Sequence, residues 1–173
     1  MEMDGNTKNM ALTGMAALCL ILGILGALGN TWLVPTGEDA EAMEEMDMET
    51  GMSLRSVWTT MDVGDADACD MATGGMIGTI GMWAGILCAL VLTLSLALPM
   101  AGVDAMDQLP DIAKKIATWG AGAAMLVGML GWYMMIPESD SETGLGMSGW
   151  LAGAAMTIGL GAAAMDQFVE STE

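Results

Sequence analysis

Four intervals of this chain carry no charged residue, and they limit its fold more than any other feature. They cover residues 9–37, 71–103, 116–137 and 143–165, bounded by Lys8 and Glu38, Asp70 and Asp104, Lys115 and Glu138, and Glu142 and Asp166. An α-helix rises about 1.5 Å per residue, so about 20 apolar residues cross the ~30 Å hydrocarbon layer of a bilayer. Each interval is long enough. A soluble domain would spread charge along its helices to solvate their outer faces, whereas here charge is confined to the connections. The intervals lack the strict alternation of barrel strands, and helices satisfy every backbone polar group internally. The sequence therefore predicts an all-α integral membrane protein, a four-transmembrane-helix bundle with a partly structured acidic outer loop. It reads as a single membrane domain over 1–173, with helices at about 10–30, 74–100, 115–136 and 148–166. The connections fall at about 31–72, 101–114 and 137–147, with a tail at 167–173. The opening MEMDGNTK is more acidic than basic and no A-x-A-like site follows closely, which argues against a cleaved leader.

Orientation rests on few cations. Lys8 precedes the first span and Lys114 and Lys115 precede the third, so the positive-inside rule puts both termini in the cytoplasm of a multi-pass cell-membrane protein. Arg55 is the dissenting charge, far from any span end. Trp32, Trp132, Tyr133 and Trp150 are expected at the outer interface and Trp119 at the inner one. Trp83 falls inside the second span, between helices or facing lipid.

With 22 acidic against 4 basic residues, the net charge of −18 leaves no basic patch for nucleic acid or for anionic lipid headgroups. Salt adaptation accounts for such a surface, as would a cation-binding loop. The acidic residues Asp62, Asp65, Asp67 and Asp70 lack the Gly and terminal Glu of an EF-hand loop. Cys19 and Cys88 lie in apolar segments and Cys69 in a polar loop, so no disulfide framework is indicated.

Small-residue spacing is the strongest packing signal. Gly149, Gly153, Thr157 and Gly161 recur every four residues in the fourth helix; Gly120, Ala124 and Gly128 do so in the third, and Gly81 and Gly85 in the second. Such residues let helix backbones approach closely in lipid, within the bundle or between copies. Helices three and four also share W-x-A-G-A-A-M-like starts at Trp119 and Trp150, explained by belt tryptophans followed by small residues. Methionine, 21 of 173 residues, forms a run in the outer loop at Met43, Met46, Met48 and Met52. Thioethers are soft ligands that select Cu(I), so these four are the candidate metal ligands; otherwise methionine serves as apolar filler.

Enzymatic chemistry finds little support. Histidine is absent, no span carries an ionisable residue for a proton relay, and nucleophile-elbow and P-loop patterns are missing. The expectation is a non-catalytic protein without a cofactor. Its partners would be the lipid bilayer and either further copies of itself or other membrane subunits. Thr36-Gly-Glu-Asp39 reads as a capping box opening a helix over 40–49 that stops at Gly51, followed by a short strand within 53–61. Trp32, Leu54, Val57 and Trp58, apolar groups in an acidic loop, are the candidate partner contacts. Soft-metal handling through the loop methionines and an accessory-subunit role are the alternatives.

Trp32-Leu33-Val34 directly after the first helix, and Val57-Trp58 followed by Cys69, resemble elements of the claudin and peripheral myelin protein tetraspan group. The topology is similar too. Met61 stands near the place of that group's first loop cysteine, so its loop disulfide is not retained. The resemblance implies an outer loop that forms a small sheet and mediates contacts between neighbouring proteins.

Overall fold

This computed structural model describes residues 2–45, 50–54, 57–59, 69–103, 109–136 and 142–172. Four long helices follow the charge-free intervals: α1 (Gly5–Leu28), α3 (Cys69–Met100), α4 (Asp111–Met134) and α5 (Met147–Phe168). An eight-residue helix, α2 (Glu38–Glu45), lies between the first two. The four long helices alternate in direction. Each packs on its sequence neighbours, and α1 closes the ring against α5. All four are long and apolar enough to cross a membrane, with candidate spans at Gly5–Leu28, Gly74–Met100, Asp111–Met134 and Met147–Phe168. The protein is a multi-pass membrane bundle.

Helix ends follow from local chemistry. The Asp4 side chain accepts from the Thr7 N–H at 3.1 Å and caps α1, satisfying one donor that the first turn leaves unpaired. At the end of α3, Gly102 takes φ +74°. Its N–H reaches the Pro99 carbonyl at 3.0 Å, and the Val103 N–H reaches that of Leu98 at 2.9 Å. This is the Schellman arrangement, which needs a left-handed residue and so favours glycine. Pro110 follows shortly and flanks the start of α4, where its missing N–H leaves no unmet donor.

Buried positions repeat with alternating steps of four and three residues in every span. In α1 they are Leu12, Ala16, Cys19, Gly23 and Gly26; in α5 the series is Ser148, Ala152, Ala155, Gly159 and Ala162, with Gly149 and Ala163 buried beside it. Thr118, Ala121, Met125, Gly128 and Trp132 follow the same rhythm in α4. The mean step of 3.5 keeps one seam facing the bundle axis, as in left-handed helical bundles. A step of four advances about 40° around the helix each time, so a strict four-residue series drifts off that seam. That drift explains a correction. Gly153 and Thr157 were expected on the packing face of α5, yet a Cβ at Gly153 would meet nothing within 4 Å, and Thr157 is exposed.

Glycines mark where backbones touch. A Cβ at Gly81 would collide with the Gly128 backbone and lie 2.8 Å from the Ala124 carbonyl, while one at Gly128 would lie 2.7 Å from the Gly81 Cα. This is the α3–α4 seam. Gly122 and Gly159 form the α4–α5 seam, each a 2.9 Å obstacle to a Cβ on the other. Gly26 against the Ala152 backbone forms the α1–α5 seam, where the same approach is 2.9 Å. Dispersion at such close approach is what holds helices together where lipid is as apolar as leucine.

Hydroxyls within the spans bond back to their own helices. Thr79 Oγ1 donates to the Gly75 carbonyl at 2.6 Å, Thr118 Oγ1 to that of Lys114 at 2.9 Å, and Thr93 Oγ1 to that of Ala89 at 2.7 Å. Among the described residues, no buried side-chain nitrogen or oxygen lacks a partner.

One end of the bundle is covered by a four-stranded antiparallel sheet of three-residue strands. They are β2 (Leu33–Pro35), β3 (Thr50–Met52), β4 (Val57–Thr59) and β5 (Thr143–Leu145), in the order β4-β3-β2-β5. The two loops at this end are thus knit into one cap. At the other end β1 (Glu2–Asp4) pairs in parallel with β6 (Glu170–Thr172).

The expected capping box is not formed as drawn. The Thr36 N–H goes to the Glu142 carbonyl at 2.8 Å, and the Asp39 carboxylate takes the Glu142 N–H at 3.0 Å. Both groups extend the β2–β5 pairing instead of closing on each other. The helix spans Glu38–Glu45, Gly51 lies within β3, and Cys69 is the first residue of α3 rather than a loop residue.

Candidate functional site

Two surfaces merit attention: the cap, and the side of α5 that turns away from the bundle. The cap is anchored by Trp32, which is fully buried. Its Nε1–H donates to the Gly26 carbonyl at 2.9 Å, and its ring meets Trp132 edge-on with centroids 5.1 Å apart. Its own backbone N–H donates to the Met52 carbonyl at 2.7 Å, and its carbonyl accepts from Gly146 at 3.0 Å. One residue thus joins α1, α4, β3 and the entry to α5. Leu54 is also buried and lies over Gly78, where an added Cβ would come within 2.9 Å of its Cδ2. Ser148 completes the joint, its N–H donating to the Thr31 carbonyl at 3.0 Å and its Oγ lying 3.1 Å from Thr31 Oγ1.

These placements correct the expected partner contacts. Trp32 and Leu54 are apolar groups in an acidic loop because they plug the end of their own bundle. Burying such side chains contributes about 1.5–3 kcal/mol each, which their own fold gains here rather than an interface. Val57 and Trp58 lie in β4, and their side chains fall outside the described residues.

The methionine run is not assembled by the described residues. Met43 lies on α2, Met52 packs against the hydrophobic core, and Met46 and Met48 fall outside the described residues. The acidic residues Asp62, Asp65 and Asp67 also fall outside them. Among the described residues, no group of three or more histidine, cysteine or carboxylate side chains is placed to hold a metal ion.

The expected helix-packing residues divide by helix. Gly81, Gly85, Gly120, Ala124 and Gly128 come together along the α3–α4 seam. A Cβ at Gly85 would lie 2.9 Å from the Ala121 carbonyl, and one at Gly120 2.6 Å from Cys88 Sγ. On α5, Gly149 faces the Trp32 carbonyl, 2.8 Å from where its Cβ would be, and Gly161 faces only the tip of Met15. Gly153 and Thr157 face outward. Gly26, Gly122 and Gly159, unmarked by four-residue spacing, make the other two seams. The four-three alternation picks out Gly26 and Gly159, whereas Gly122 lies one residue off the α4 series, beside Ala121.

Outward residues of α1, α3 and α4 are what lipid calls for. Leu18, Ile21 and Leu25 are exposed on α1, Ile80 and Leu87 on α3, and Val127 and Leu130 on α4. On α5, no large apolar side chain is exposed between Trp150 and Phe168. In that stretch Ala154 and Thr157 are exposed and Gly153 is half-buried with open space before it. Thr157 Oγ1 is turned back onto the Gly153 carbonyl at 2.8 Å.

The cap carries the acidic surface. α2 holds Glu38, Asp39, Glu41, Glu44 and Glu45, and none of its residues is buried. Its four glutamates are exposed, whereas Asp39 and Met43 are half-buried. No protein-family model matches the sequence, and no curated protein matches it either.

Proposed function

We propose that this protein is a non-catalytic membrane scaffold that docks another membrane helix along the outward strip of α5 and presents a rigid acidic cap outside the cell. The observation that carries this reading is the contrast between α5 and its three neighbours. They offer lipid large branched side chains, and α5 offers Gly153, Ala154 and Thr157. A small-residue face loses little by leaving lipid and gains close backbone packing when a helix covers it. The occupant is a helix of a second copy or of another membrane subunit.

Absent intramembrane charge supports the non-catalytic part, since pumps and proton-coupled carriers work through such groups. The span hydroxyls, bonded to their own helices, offer a substrate nothing to displace. Lys8, Lys114 and Lys115 all belong to the end of the bundle opposite the sheet, and the positive-inside rule then assigns that end to the cytoplasm of the cell membrane.

The test is the mass of the full-length protein in mild detergent, alongside Gly153→Leu. The wild type should run with a further copy or a co-purified subunit, and the variant as a single chain with an unchanged Tm. A single-chain mass for the wild type, or an association that survives Gly153→Leu, would overturn the proposal.

A further inference from the structure

Both ends of the chain meet at the pole opposite the sheet, and one amine holds them. Lys8 lies in the first turn of α1, where a cation faces the positive end of its own helix dipole and is disfavoured. Its placement is explained by the neighbouring helix. Because α1 and α5 are antiparallel, the start of one stands beside the end of the other. Lys8 Nζ donates to the Asp166 carbonyl at 3.0 Å and to the Val169 carbonyl at 2.8 Å, and lies 3.9 Å from Asp166 Oδ1. A helix leaves its last carbonyls without intrahelical partners, and these two find one in the ammonium. The Lys8 side chain is only 13% exposed, so water competes little for these bonds.

Just beyond, β1 and β6 pair in parallel, with Glu2 opposite Glu170 and Asp4 opposite Thr172. A strand entering one helix and a strand leaving its antiparallel neighbour can run parallel only if the chain turns sharply at this pole. The pair is three residues long, and Asp4 and Glu170 are exposed, so burial adds little to it. Asp4, Asp166 and Glu170 are the described carboxylates of these two terminal segments, against the one amine of Lys8; Lys114 and Lys115 stand on α4 at the same end of the bundle.

Two terms of different range therefore oppose each other. The Lys8 hydrogen bonds are short and shielded, and salt affects them weakly. Repulsion between exposed carboxylates acts through water and is screened over a Debye length of about 30 Å at 0.01 M and about 3 Å at 1 M salt. We propose that the paired termini are a salt-sensitive latch, held shut by Lys8 and opened at low ionic strength by carboxylate repulsion. Opening releases β6 and the last turn of α5 from α1. The spans, held by their glycine seams, stay packed.

Backbone amide exchange of the full-length protein in a neutral detergent tests the latch. Protection of the β1 and β6 amides should rise about tenfold or more between about 0.01 M and about 1 M KCl, while amides in the middle of the spans stay constant. Lys8→Met keeps the apolar stem, removes the ammonium and should abolish the protection at both salt concentrations. Glu170→Gln should raise protection at low salt and narrow the difference, and it reports on the latch even where Lys8→Met fails to fold. Equal wild-type protection at both ionic strengths, or full protection in Lys8→Met, would overturn the proposal.

Discussion

Gly81 and Gly153 are both glycines inside transmembrane helices, each in a four-residue series of small residues, and they do opposite things. A methyl group at Gly81 has the Gly128 backbone in its way, and backbone cannot rotate aside as a side chain does. Gly81→Ala, like Gly122→Ala or Gly159→Ala, should therefore force two helices apart and destabilise the bundle by about 1–3 kcal/mol, the usual range for overpacking. Gly153→Ala meets open space. It should be neutral, or stabilising by up to about 1 kcal/mol through better helix propensity. Unfolding titrations of the four variants check this, and equal destabilisation at Gly81 and Gly153 would contradict the seam assignment. Local spacing marks Gly81 and Gly153 alike as candidates for contact. Which of them touch depends on where the seam runs, and a drift of about 40° per four-residue step is enough to separate them.

At the scale of elements, the outer loop shows how composition can mislead. Trp32 and Leu54 look like exposed apolar groups in an acidic segment, and both are core residues. Their burial requires β5, from a loop about a hundred residues further along the chain, to pair with β2 through Leu33–Leu145, Val34–Gly144 and Pro35–Thr143. Nothing in 31–72 announces that pairing. By contrast α2 is helical on local grounds alone, having good helix formers, acidic residues in its first turn and Gly37 at φ +63° just before it. The two elements should therefore respond differently to substitution. Leu54→Ala should cost about 2–5 kcal/mol, as for other buried leucines. Ala42→Pro should break α2 yet leave the unfolding midpoint of the bundle almost unmoved, because no residue of α2 is buried. Circular dichroism and thermal unfolding together separate the outcomes; a large loss of stability in Ala42→Pro would mean that α2 braces the cap.

Across the whole molecule, topology ties sidedness to the helix count. With four alternating spans, both termini and the α3–α4 connection share one side, and the sheet takes the other. Cys69 opens α3 on the sheet side, whereas Cys19 is buried within α1 and Cys88 is half-buried within α3. A membrane-impermeant thiol reagent applied to intact cells should label Cys69 and neither of the others. Labelling of Cys69 only after lysis would invert the assignment made from Lys8, Lys114 and Lys115.

The number, length and order of the spans were determined by the sequence alone, because hydrocarbon tolerates neither charge nor unpaired backbone, and both demands act locally along the chain. The same holds for the Gly102 turn that ends α3 and for the acidic character of the cap. Tertiary structure decided what no local demand encodes: which glycines touch, where Trp32 goes, and what Lys8 is for. Gly122 needs Gly159 on another helix, Trp32 needs the Gly26 carbonyl and the Trp132 ring, and Lys8 needs the end of α5. Trp32 and Lys8 stand out in the sequence while Gly122 and Gly159 do not, and in each case the pairing is set by how four helices of similar composition rotate about their axes to close one ring. That rotation is chosen by the sum of many close contacts, so no single stretch of the chain contains it.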